Sequence, residues 1–143
     1  QEDGSEVNIK PFGTSILLAG TSGGGKSTLA TAVLERIASE NYQFCIFDPE
    51  GDYENFDNAI VLGDSKREPS VKEVLDVLEK PNQNAVVNLL GIPLKDRPGF
   101  FAQLLPQLQE MRSRVGRPHW IVVDEAHHLM PASWNPAVLT LPQ

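Results

Sequence analysis

One stretch constrains this chain more than any other: Gly20-Thr21-Ser22-Gly23-Gly24-Gly25-Lys26-Ser27. It satisfies the pattern G-x-x-x-x-G-K-[ST] in full. Before it, residues 15–19 (SILLA) form a short apolar run of the length and flanks of a buried parallel strand. After it, from residue 26 to about residue 40, Leu29, Ala30, Val33, Leu34, Ile37 and Ala38 recur at helical spacing. Glycines there let the backbone turn its N–H groups inward with no Cβ in the way. The start of the helix adds unpaired amides and the positive end of its dipole. Lys26 brings a mobile positive charge for β- and γ-phosphates, and Ser27 a hydroxyl for Mg²⁺. Thr28 falls in the first helical turn, close to the same phosphates. The bland alternative is a flexible glycine-rich turn that happens to precede a helix. The full match and its flanks favour a nucleoside triphosphate site, with ATP and Mg²⁺ as the expected ligand and cofactor.

The remaining pattern alternates strands with helices. Residues 44–47, 59–62, 85–90 and 120–123 read as strands. Ser70 with Glu73 three residues on forms a capping box for a helix through Val74, Leu75 and Leu78 that stops near Pro81. Residues 98–115 read as a helix with Phe101, Leu104, Leu105, Leu108 and Met111 on one face, and Pro106 should kink or break it. Alternation of this kind predicts an α/β fold, a parallel sheet with helices on both faces. Ligands of such sheets sit at the carboxyl ends of the strands. A single domain over residues 1–143 is expected, with 1–11 a loose lead-in and 131–143 an irregular tail.

Composition sets bounds. With 143 residues, 41% hydrophobic and 22% charged, the chain has the makeup of a soluble globular domain. No apolar run approaches the roughly 20 residues of a membrane span. The single cysteine, Cys45, lies in an apolar run and reads as a buried inert thiol, which favours a reducing, cytoplasmic setting. The net charge of -7 is a poor footprint for gripping phosphate backbones, so charge lends no support to DNA binding.

Two acidic motifs fall at predicted strand ends. In Trp120-Ile121-Val122-Val123-Asp124-Glu125 an apolar strand delivers two carboxylates. Asp124 is expected to hold Mg²⁺ through water, completing the site with Ser27. Glu125 is expected to orient and polarise the attacking water. The plain alternative is an acidic strand end capping a helix from Ala126 onward. His127 and His128 come next and lack metal-ligand spacing; His127 is a candidate for the site lining, against a packing or capping role. The second motif, Asp48-Pro49-Glu50-Gly51-Asp52-Tyr53, offers Asp48, Glu50 and Asp52 as lining residues, or else a solvated Pro-Gly turn.

Taken together, the phosphate loop, the F-D-P-E-G-D-Y turn and I-V-V-D-E-A-H-H resemble the nucleotide-binding core of the HerA/FtsK group of pumping ATPases, closest to its HerA-like and conjugation-type members. The resemblance spans residues 16 to 129. It implies a RecA-like P-loop NTPase core of the type with an added strand and a catalytic glutamate. It assigns Lys26 and Glu125 to catalysis, Ser27 and Asp124 to the metal, and residues 48–52 to the site lining. It also implies a homo-oligomer, a hexameric ring, that couples ATP hydrolysis to DNA movement and receives an arginine from the adjacent subunit. Family cores carry further strands after the Asp-Glu strand, one of them beside the phosphate-loop strand. Here none precedes Gln143, so a partial or shortened core is expected, with the phosphate-loop strand short of a neighbour. Three other readings stand beside an ATPase. Asp48-Pro49-Glu50-Gly51 fits the D-x-x-G of GTPases, though no N-K-x-D comes after it. A non-hydrolysing regulatory module is the second. The third is a small-molecule kinase with Lys66-Arg67 or Arg112, Arg114 and Arg117 as lid cations.

Overall fold

Four short strands pair in parallel to form one sheet in the computed structural model, which describes residues 8–21 and 23–132. The elements in chain order are α1 (Lys26–Ser39), β1 (Phe44–Asp48), β2 (Ile60–Leu62), α2 (Val71–Leu78), β3 (Ala85–Asn88), α3 (Arg97–Val115) and β4 (Trp120–Val123). A single 3₁₀ turn, Ala126–His128, comes after β4. The sheet order is β2-β3-β1-β4. Register places Phe47 opposite Val87 on one side and Val123 on the other. Asp48 therefore ends β1 level with Asn88, and Asp124 lies just past Val123 on the other flank.

Burial of both sheet faces explains why these strands read as apolar runs rather than alternating ones. On one face Cys45, Phe47, Ala85 and Val87 pack under α2 and α3 with Val74, Leu78, Phe101, Leu104, Leu108 and Met111. Phe47 and Phe101 meet edge to face at 4.9 Å between centroids. On the other face Phe44, Ile46 and Val86 pack against Leu34 and Ile37 of α1 and against Tyr53. Burial pushes the Cys45 thiol up to about 12, as an inert core thiol requires. The α2 capping box forms as expected: the Ser70 hydroxyl accepts from the Glu73 N–H at 3.2 Å, and Glu73 accepts from the Ser70 N–H at 2.9 Å. No helix among the described residues is long and apolar enough to cross a membrane.

Two expectations need correction. Residues 15–19 form no strand; Ile16 and Leu18 are exposed and Leu17 is 90% exposed. An apolar run becomes a strand only when a neighbour completes its ladder, and no described residue pairs with it. The outer edge of β4 is likewise unpaired among the described residues. Consequently only the second half of α1 is seated, while Leu29 in its first turns is 52% exposed. The second correction is Pro106. It sits inside one continuous helix, so the expected alternative of a break does not occur, and the helix forgoes the hydrogen bond its missing N–H would have made. Of the tail over 131–143, residues 133–143 lie outside the described residues, as do residues 1–7 of the lead-in.

These placements separate two apolar substitutions by size of effect. Phe47→Ala should cost about 3–5 kcal/mol of unfolding free energy. Leu17→Ser should change it by less than about 0.5 kcal/mol. Denaturant titration of both variants checks the pair, and a large cost at Leu17 would mean that residues 15–19 are packed after all.

Candidate functional site

The phosphate loop keeps the backbone geometry that glycine is there to allow. Gly23 and Gly25 have φ of 78° and 81°, in the left-handed region where a side chain is strained. Gly24 closes the turn by donating to the Thr21 carbonyl at 3.0 Å. Gly25 caps α1 by its backbone alone, with no side-chain cap and no acidic residue in the first turn. The amides and dipole at that end are thus left for an anion. Lys26 Nζ donates to the Gly20 carbonyl at 2.7 Å, folded across the loop it is expected to serve. Ser27 and Thr28 are exposed; Ser22 lies outside the described residues.

At the β4 end the two carboxylates differ. Asp124 is half-buried, and its Oδ1 accepts from the Glu125 N–H at 3.0 Å. Burial holds its carboxyl above the usual range, and the negative Glu125, Asp52 and Asp48 push the same way. Glu125 has a left-handed backbone, φ 42° and ψ 56°, which costs a non-glycine residue roughly 1–2 kcal/mol. His127 stands 3.3 Å from the Glu125 carboxylate. The tyrosine of the acidic turn, Tyr53, is buried, and burial with Asp124, Asp48 and Asp52 nearby raises its hydroxyl to about 12.

The acidic turn divides. Asp48 points inward and is fully buried; its carboxylate accepts from the N–H groups of Gly51, Asp52 and Tyr53 at 2.8, 3.1 and 3.0 Å. It organises the turn rather than presenting an acid. Gly51 has φ 80°, and a Cβ there would stand 2.8 Å from Leu90. The D-x-x-G glycine amide is thus already committed to Asp48. Glu50 and Asp52 are exposed. A cavity of about 460 Å³ lies at the opposite, amino end of the strands, lined by Tyr42, Asn58, Asn82 and Asn84 with Asp57 as its only charged residue. It offers no cation to a phosphate.

Missed from the sequence were Arg97, whose guanidinium is buried beside this turn, and the contact of His128 with it. Two of the candidate lid cations are engaged elsewhere: Arg67 pairs with Glu73 at 2.8 Å and Arg114 with Glu79 at 3.2 Å, on and just past α2.

The family model for the central domain of the helicase HerA matches residues 3–97, about two thirds of the chain. The chain belongs to the HerA central-domain family. The match covers the phosphate loop and the acidic turn and stops before Asp124. This HerA-like core is therefore a P-loop ATPase domain of motor type on a parallel α/β sheet. No curated protein and no solved structure matches the chain.

The raised Asp124 carboxyl has a consequence for stability. A carboxyl with a raised folded-state pKa costs the fold free energy once ionised, so stability falls as pH rises through that raised value. Asp124→Asn keeps the Oδ1 acceptor and removes the charge. It should raise the thermal midpoint at neutral pH without nucleotide or divalent cation, read by calorimetry; a lowered midpoint would contradict the crowding of carboxylates described.

Proposed function

We propose that this HerA-like domain binds ATP with Mg²⁺ at residues 20–28 and hydrolyses it with Glu125 as the group that polarises the attacking water. The carrying observation is the α1 amino terminus, uncapped by any side chain, behind a loop with two left-handed glycines and Lys26. On this reading the loop amides and Lys26 bind the phosphates. The Glu125 carboxylate, aimed by its left-handed backbone and touched by His127, accepts the proton of water. The donor set suits Mg²⁺: hydroxyl and carboxylate oxygens from Ser27 and Asp124, with phosphate and water oxygens as the remaining ligands. The crowded negative charge around Asp124 is of the kind a divalent cation relieves. Bound there, the ion would neutralise charge on the phosphates. The work driven is proposed from the family: a ring of copies moving DNA in the cytoplasm. The acidic charge of this segment means that basic contacts to DNA would come from elsewhere in the assembly.

One observation favours a second reading, a module that binds ATP without turnover. Residues 15–19 are not docked on the sheet, so no shared ladder fixes the phosphate loop relative to Glu125. A GTP-specific switch is disfavoured, because the Gly51 amide and Asp48 serve each other.

Lys26→Ala should weaken ATP affinity about 10- to 100-fold, the range for losing a charged phosphate contact, with the fold intact. Calorimetric titration with ATP and GTP checks this, and retained affinity or a strong GTP preference would overturn the site. Glu125→Gln should lower turnover by about 10²- to 10⁴-fold with binding kept. Equal turnover would remove Glu125 from the mechanism; tight ATP binding with no turnover in the full chain would favour the second reading.

A further inference from the structure

Arg97 and Asp48 are the two charged side chains buried among the described residues, and Arg97 is only 6% exposed. A buried cation is costly unless it is well partnered. Asp48 solves the corresponding problem within its own turn. Arg97, the first residue of α3, instead spends its guanidinium on three other segments. Its Nε donates to the Ile92 carbonyl at 3.0 Å, in the loop after β3. Its Nη1 donates to the Pro49 carbonyl at 3.2 Å, in the turn after β1. The same Nη1 stands 3.2 Å from Nδ1 of His128, in the turn after β4. A guanidinium only donates, so His128 Nδ1 is the acceptor and its proton sits on Nε2. That Nε2 faces the Glu50 carboxylate at 3.8 Å.

The third contact bears directly on Glu125. The turn Ala126–His128 begins on that residue, whose left-handed backbone needs something to hold it. Locally the His128 N–H donates to the Glu125 carbonyl at 2.9 Å. Beyond the turn, Leu129 is fully buried under α3. Through Arg97, His128 also ties this turn to the turn after β1. We propose that Arg97 is a positioning residue: by bonding His128 and the Pro49 carbonyl together, it locks the turn after β4 against the acidic turn and so sets where the Glu125 carboxylate stands. The proposal rests on the reading of Glu125 as the water-polarising group.

Arg97→Lys keeps the charge and most of the stem but lacks the fork that reaches several acceptors at once. In the full chain it should lower kcat about 10-fold while ATP affinity, read separately by titration, stays within about threefold. His128→Ala should do the same, and the double variant should fall no further, because the two act as one unit. Unchanged kcat, additive losses, or kcat and affinity lost in step with the melting midpoint would overturn the proposal and leave Arg97 a packing residue. Amide hydrogen exchange gives a readout that needs no turnover. The His128 and Met130 amides should exchange at least about 10-fold faster in Arg97→Lys, with α2 amides unchanged. Unchanged exchange at His128 would also overturn it. If Glu125→Gln and the parent chain turn over alike, it is the hydrolytic reading that fails, and the exchange result still decides whether Arg97 holds the turn.

Discussion

Everything in this domain hangs on β1 being hydrogen-bonded on both sides and buried on both faces. Phe44 and Ile46 belong to the cluster under α1, while Cys45 and Phe47 belong to the cluster under α2 and α3. The strand thus gives alternate residues to both cores, as β3 does with Ala85 and Val87 on one face and Val86 on the other. Its register with β3 and β4 brings Asp48, Asn88 and Asp124 to one end of the sheet. Its last residue then turns its carboxylate inward to order the loop after it. A strand buried in this way carries no solvent-facing alternation, and its ladder leaves no freedom to slip.

The two halves of the proposed nucleotide site are secured to different degrees. The carboxylate half is fastened at several points: the β1–β4 ladder, Leu129 in the core, and the bonds that Arg97 and His128 make. The phosphate half is carried by α1, which is seated through Leu34 and Ile37 near its far end. Binding of phosphate needs only the loop, its glycines and the α1 amides. Hydrolysis as proposed would need the loop and Glu125 held in one frame. On the proposed reading, affinity and turnover would divide where residues 15–19 form no ladder with β4.

Several features were legible because their signals are local. The phosphate loop comes from glycine's access to positive φ at Gly23 and Gly25 and from the lysine and serine that end it. The capping box of Ser70 and Glu73 is set by spacing alone, and so are the strands at 44–47 and 120–123, which are apolar runs of strand length. The exchange of roles within Asp48-Pro49-Glu50-Gly51-Asp52 was not legible. Three acids in five residues look alike in sequence, and only the turn decides that Asp48 faces in while Glu50 and Asp52 face out.

By itself, then, the sequence determined the phosphate loop, the α/β alternation, the two acidic strand ends and the family that their combination marks. The tertiary structure alone decided three things. Residues 15–19 are apolar enough for a strand but have no ladder partner among the described residues, and hydrogen bonding between strands is not encoded in either strand alone. Asp48 is consumed by its own turn. Arg97, one of a dozen cations in the sequence, is the one buried among carbonyls, because α3 starts where three loops converge. Local chemistry is written residue by residue, whereas pairing, burial and convergence depend on segments far apart in the chain.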